Sequence, residues 1–288
     1  MNFRTDLAME AAANGENLSP DDLRQEEAHE GNMTLTRLHI LSPKGEQTVG
    51  KPCGKYITAS LPPLSDDERQ LEEQALLIGR ELAALLPAEG PVLVVGLGNR
   101  AVTPDTLGPA TADRVLATRH IRGEFARAAG LTDLRPTAVL TPGVLGQTGT
   151  ESSEIVRGVC GEIQPAAVVA IDALAARSME RLGCTVQLCD TGISPGSGVG
   201  NNRQPLSKQV LGVPVIGMGV PTVVDASTLV WEMSGHAPAD QSASMMVTPR
   251  EIDMVIGRAA RLLALAINSA LQPAYSATQL CAIAGGIS

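Results

Sequence analysis

The stretch "VLVVGLGNRAVTPDTLGP", residues 92–109, decides how the chain is read. Four apolar residues make a short strand of the kind covered on both faces. Gly96-Leu97-Gly98-Asn99-Arg100-Ala101 then matches the G-x-G-x-x-G/A pattern of dinucleotide-binding folds. A true fingerprint runs from its glycines straight into a helix whose N-terminus receives a pyrophosphate. Here Pro104 intervenes, removing a helical hydrogen bond and biasing Thr103 away from helical dihedrals. The loop is therefore expected to stay extended until Gly108 lets a helix begin. It carries a carboxylate, Asp105, just past the end of a buried strand, where open parallel sheets bind their ligands.

Outward from this loop, short apolar runs predict strands over 91–95, 137–141, 166–171, 184–189 and 213–217. Helices are expected over 108–121 and 150–163, with a shorter one over 174–182. The alternation implies an α/β fold, a mostly parallel twisted sheet flanked by helices. Ser65 and Glu68 have capping-box spacing ahead of an apolar face at Leu71, Ala75, Ile78, Leu82 and Leu85. Thr248, Pro249 and Glu251 likewise announce a long closing helix from Ile252 to Ala270. Residues 7–64 read as a mobile leader and a small peripheral β element, and 65–288 as the α/β unit of a single-domain chain.

Composition narrows the function. Of 288 residues, 44% are hydrophobic but only 2% aromatic, so the core must be aliphatic. A net charge of −9 with no basic run argues against direct binding of nucleic acid. The acidic, polar N-terminus does not read as a signal peptide, and no segment reads as a membrane helix. A soluble, intracellular protein with no membrane partner is expected. Five cysteines without a C-x-x-C pair suit reduced thiols rather than disulfides.

Three acids follow strands directly or in the next loop: Asp105, Asp172 after "AAVVAI", and Asp190. Each alone could be a helix cap or turn residue, but parallel strands would bring all three to one sheet edge. Two close carboxylates cannot both ionise freely, so such a pair can activate water and protonate a leaving group. Asp190-Thr191-Gly192 resembles the D-T-G of pepsin-like and retroviral proteases, but it stands alone in an α/β pattern. The glycine-rich run from Gly196 through Gly198 lacks the Lys-Ser or Lys-Thr of a phosphate loop. It is either a flexible loop or a place of close substrate approach. Acids plus a histidine would suit zinc or nickel. His29, His39, His120 and His236 all lie outside the motif-bearing loops, so neither a metal nor another cofactor is expected.

Taken in order, "RTDLAMEAA", "VVGLGNRAVTPDTLGP", "LTPGVLGQTGTESSEIV", "AIDALAARSMERLG" and "DTGISPGSGVGNNR" resemble the bacterial spore germination proteases. The resemblance implies a fold of hydrogenase-maturation-protease (phosphorylase/hydrolase) type. It also implies an endopeptidase acting on the small acid-soluble proteins that coat spore DNA. Such an enzyme is a self-trimming zymogen, a homotetramer, and cytoplasmic in the forespore and spore core. Catalysis maps to Asp105 in the T-P-D-x-L-G-P loop and Asp172 in the I-D-A-L motif. A metal-assisted maturation peptidase on the same fold is the enzyme alternative, and a dinucleotide-binding module using "GLGNRA" is the non-catalytic one. Residues 1–6 become a propeptide, cut between Asp6 and Leu7. Because acidic substrate positions must be read by an acidic protein, Arg203 and then Arg100 are the expected substrate-binding cations, with Gly196 and Gly198 beside them.

Overall fold

A computed structural model describes residues 5–13, 18–66, 68–121, 123–128, 131–196, 203–236 and 245–280. The strands are β1 (Leu23–Glu30), β2 (Met33–Ile40), β3 (Gly54–Ser60), β4 (Val92–Gly96), β5 (Thr137–Leu140), β6 (Ala167–Ala176), β7 (Thr185–Cys189), β8 (Val215–Asp225) and β9 (Met246–Val247). The α-helices are α1 (Ala8–Ala12), α2 (Pro43–Val49), α3 (Leu71–Leu85), α4 (Leu107–Ala112), α5 (Gly123–Ala128), α6 (Leu145–Thr148), α7 (Ser152–Ile163), α8 (Lys208–Leu211), α9 (Ala226–Ser234) and α10 (Ile252–Leu271).

All nine strands join one sheet in the order β1-β2-β3-β7-β8-β6-β4-β5, with β9 added beside β8. The pairs β4–β5, β4–β6 and β6–β8 are parallel. The chain is therefore an α/β protein whose sheet is flanked by helices. Alternation along the central strands sorts the core. Val92, Val94, Val169 and Ile171 face α3 and α10, while Leu93, Val95, Val168 and Ala170 face α7 and α8. Both faces are covered, which is why the strands read as unbroken apolar runs.

Several expectations are corrected. β7 pairs antiparallel with both β3 and β8, so its carboxyl end points away from those of β4 and β6. Asp190 consequently does not join the edge shared by Asp105 and Asp172. Its Oδ1 instead accepts from the Lys55 amide at 2.8 Å, closing the start of β3. In place of a helix over 174–182, β6 runs to Ala176 because β8 continues to pair with it; only a 3-10 turn follows, Met179–Arg181. The helix expected over 108–121 stops at Ala112.

The capping box at Ser65 does not form, since Glu68 accepts instead from Arg258 and Arg261, and α3 begins at Leu71. Thr248 is not a cap either. Its hydroxyl donates to the Thr222 carbonyl, because the chain there is still beside β8. Contrary to expectation, α10 is long and apolar enough by composition to cross a membrane, but most of it is buried inside the protein. Nor are residues 5–13 a loose leader: Leu7 and Ala8 are fully buried against the sheet.

Candidate active site

The loop after β4 is tied down at each end. The Leu97 amide donates to the Ile171 carbonyl of β6 at 2.8 Å, continuing the parallel ladder for one residue. Two glycines then make the turn possible. Gly98 has φ +119°, and a Cβ there would stand 2.0 Å from the Asp105 carbonyl oxygen. At Gly108 a Cβ would stand 2.1 Å from the Leu97 carbonyl oxygen, so only glycine lets the start of α4 approach the strand this closely. Between them Thr103–Asp105 forms a 3-10 turn with Pro104 near its start. The Thr222 hydroxyl of β8 donates to the Pro104 carbonyl at 2.9 Å, fixing the turn over the sheet. The apparent dinucleotide fingerprint thus becomes a rigid carboxylate-bearing turn.

Asp105 and Asp172 line one cleft of about 330 Å³, together with Asp6, Gly196 and Arg203. Asp172 is 4% exposed. Burial, with Asp105 and Asp6 nearby, holds its carboxyl well above the usual carboxylate range; the Ala173 and Gly196 amides oppose this. Burial raises Asp105 too, against the Asn99 amide, which donates to its Oδ2 at 2.9 Å, and the positive charge of Arg203. Neighbouring carboxyls that each resist ionisation are equipped to share a proton and titrate as a pair.

The N-terminal segment crosses this cleft. The Asp6 amide donates to the Ala175 carbonyl at 2.9 Å, and the Ala175 amide donates to Asp6 Oδ2 at 2.8 Å. These bonds fall where the β6–β8 register shifts between Leu174 and Ala175, the kind of irregularity that re-aims a strand beside a site. Leu7 packs among Leu174, Ala176 and Val224. Ala8 packs among Leu38, Tyr56 and Cys189. Farther on, the buried Glu10 carboxylate accepts from the amides of Arg177 at 2.7 Å and Ser178 at 3.1 Å. It also accepts from the Thr5 hydroxyl.

The expected substrate cations fare differently. Arg203 lies in the cleft, and its Nη1 is buried without a hydrogen-bond partner among the described residues. Arg100 is exposed, with its guanidinium engaged by both Asp113 carboxylate oxygens at 2.6 and 2.7 Å, so it is not turned to the carboxyl pair. The acids of the bound segment are met by main-chain amides of Ala175, Arg177 and Ser178, which no sequence pattern could flag as recognition groups. Gly196 borders the cleft and turns its amide to Asp172, while Gly198 lies outside the described residues. Sequence reasoning also passed over Gln187, whose Nε2 donates to the Asp6 carbonyl and whose Oε1 accepts from the Ala8 amide. Its one signal was a lone polar side chain in the apolar run "TVQLC". Among the described residues, no three His, Cys, Asp or Glu side chains converge as a metal-binding group.

A family model described as germination protease matches residues 4–235. The germination protease of Caldanaerobacter subterraneus subsp. tengcongensis is 39% identical, with 97% of each chain covered. That of Clostridium acetobutylicum is 38% identical, covering 96% of this chain and 97% of the relative. Among solved structures, the NiFe hydrogenase maturation protease HycI from Thermococcus kodakarensis KOD1 is similar over 65% of this chain and 98% of that one, at 17% identity and a TM-score of 0.38. The match to the family spans the cleft, both carboxyl-bearing motifs and the segment lying across them, and the chain belongs to the germination protease family of peptidases.

Proposed function

We propose that the chain is an aspartate-dependent endopeptidase of spore germination, and that its first substrate is its own Asp6–Leu7 bond. The observation that carries this reading is the seating of that bond: Asp6 lines the cleft with Asp105 and Asp172, and Leu7 fills an apolar pocket at 0% exposure. An acid before the bond, a large apolar residue after it and an acid three residues beyond Leu7 are each accommodated. A segment held this way is a substrate mimic in place, which makes the uncut chain a self-blocked zymogen. Once residues 1–6 leave, the same subsites take acidic-then-apolar stretches of small acid-soluble spore proteins. The family's name and the −9 net charge fit a protein that handles DNA-coating proteins without itself holding DNA. The homotetramer and the location in the spore core belong to the same proposal.

Chemically, the buried pair would hold one proton between two carboxyls. The ionised partner takes a proton from water, and the protonated partner supplies one to the leaving nitrogen. The test is incubation of the purified full-length chain at mildly acidic pH, followed by N-terminal sequencing and addition of a small acid-soluble spore protein. A new Leu7 terminus and cleavage of that protein after acidic residues are expected. A persistent Met1 terminus with no digestion, or full activity only when divalent metal is restored after chelation, would refute the reading.

A further inference from the structure

We infer that Gln187 is a catalytic residue of this site, the hydrogen-bond donor that polarises the carbonyl of the bond being cut. The inference rests on the reading of Asp6–Leu7 as a scissile bond. Gln187 Nε2 donates to the Asp6 carbonyl oxygen at 2.9 Å, and that is the carbonyl of the bond in question. Gln187 Oε1 accepts from the Ala8 amide at 2.6 Å. The two contacts fix the orientation of the side-chain amide without ambiguity. A main-chain N–H can only donate and a carbonyl oxygen can only accept, so the flipped amide would lose both bonds.

The sheet register explains how the donor comes to face the acids. Gln187 of β7 and Asp172 of β6 are both paired with Gly219 of β8, one on each side. Residues in register across a sheet point to the same face, so the two side chains rise from one row about 10 Å apart, two strand spacings. Gly219 has no side chain of its own, and that of Leu174 lies over it, with Cγ 2.7 Å from where a Cβ would stand. Gln187 lines a cavity with Asp6, Asp172 and Leu174, and the same three residues also line the adjoining cleft that holds Asp105, so Asp6 and Asp172 stand where the two meet. Gln187 is 6% exposed and sits among apolar neighbours on its strand, where a hydrogen bond to developing charge is strongest. Its partners are the main-chain carbonyl before the cut and the main-chain amide of the second residue after it. Any extended substrate presents the same pair, so Gln187 serves every sequence the subsites admit.

In the step itself, water oxygen bonds to the Asp6 carbonyl carbon and the π pair moves onto the Asp6 oxygen. The water proton passes to the ionised carboxylate. Gln187 keeps its proton and donates a hydrogen bond to the oxyanion. Collapse restores the C=O bond, breaks the bond to the Leu7 nitrogen and delivers to that nitrogen a proton from the carboxyl pair. One water is consumed, leaving a carboxyl on Asp6 and an amine on Leu7.

The test compares wild type, Gln187→Met, Gln187→Glu and Asp172→Asn, reading the rate at which the Leu7 terminus forms in the full-length chain. Cleavage of the peptide RTDLAMEAA in trans is followed in parallel. Gln187→Met is close in size and cannot donate, and should lose about 100- to 1000-fold in rate, the usual loss for one such donor. In trans, that loss should fall on kcat more than on KM. Gln187→Glu should be slow near neutral pH, where the carboxylate only accepts. Relative to wild type at the same pH, it should recover in acid as its carboxyl regains a proton to donate. Read in trans, that recovery should fall on kcat rather than KM, which a role in seating the segment alone would not produce, and it decides the matter even if Gln187→Met fails to fold. Wild-type kcat in Gln187→Met, or a Gln187→Glu ratio that is flat with pH, would overturn the inference while leaving the carboxyl pair standing. No cleavage by wild type in either format, or normal cleavage by Asp172→Asn, would instead bring down the reading on which it rests.

Discussion

Truncating Leu7 to alanine should release the segment that covers the cleft without unfolding the protein. Leu7 is fully buried among Leu174, Ala176 and Val224, so the substitution removes a packed side chain and leaves a cavity. Such changes cost about 2–5 kcal/mol. If residues 5–13 dock and undock as a local unit, the whole cost falls on docking, because the rest of the core at α3 and α10 does not include Leu7. At about 1.4 kcal/mol per tenfold change, the undocked population rises by roughly 30-fold to several thousand-fold.

Hydrogen exchange at the Ala8 amide reads this directly, since that amide is held by Gln187 Oε1. The measurement is made in an Asp172→Asn background so that the chain stays intact. Exchange at Ala8 should accelerate by at least tenfold, while amides of α10 such as that of Leu263 keep their protection. Unchanged exchange at Ala8, or equal loss of protection in α10, would refute the idea that Leu7 anchors an independently releasable segment.

Two further predictions concern charge. The raised Asp172 carboxyl is most compatible with folding below its unfolded pKa, and that contribution is lost as pH rises through the higher folded value. Asp172→Asn should therefore gain thermal stability over wild type near pH 7 and little near pH 4, by about 1.4 kcal/mol for each unit of the upward shift; equal differences in Tm at both pH values would count against it. Arg203 favours the ionised form of Asp105, so Arg203→Gln should raise the Asp105 pKa and move the acid limb of the pH–rate profile to higher pH, and an unmoved limb would show that the guanidinium does not act on the pair.

Much of the fold was written in residues whose environment is set locally. The runs at β4, β5 and β6 are apolar on both faces because helices cover both faces, and their positions could be read from that alone. Direction could not. The apolar run of β7 looks the same whichever way it points, and only its pairing with β3 and β8 makes it antiparallel, which separates Asp190 from the other acids. Helix starts misled for a related reason. Ser65 and Thr248 carry capping chemistry, but the groups that would complete each cap are engaged by tertiary partners.

At the site, Asp105 stood out because prolines forbade the helix that its glycines promised. Gln187 did not stand out, because its meaning depends on a register with Gly219 and Asp172 that joins three separated strands. The amides that receive Asp6 and Glu10 are invisible in any sequence, since every residue except proline carries one.

Joint catalysis by Asp105 and Asp172 is put to the test by mass spectrometry of three full-length chains held at mildly acidic pH: wild type, Asp105→Asn and Asp172→Asn. Asparagine keeps the shape of each side chain but cannot exchange the proton. Wild type should lose residues 1–6 while both folded variants keep them, and a small acid-soluble spore protein added to each should be digested only by wild type. Release of residues 1–6 at the wild-type rate by either folded variant acting alone would contradict joint catalysis.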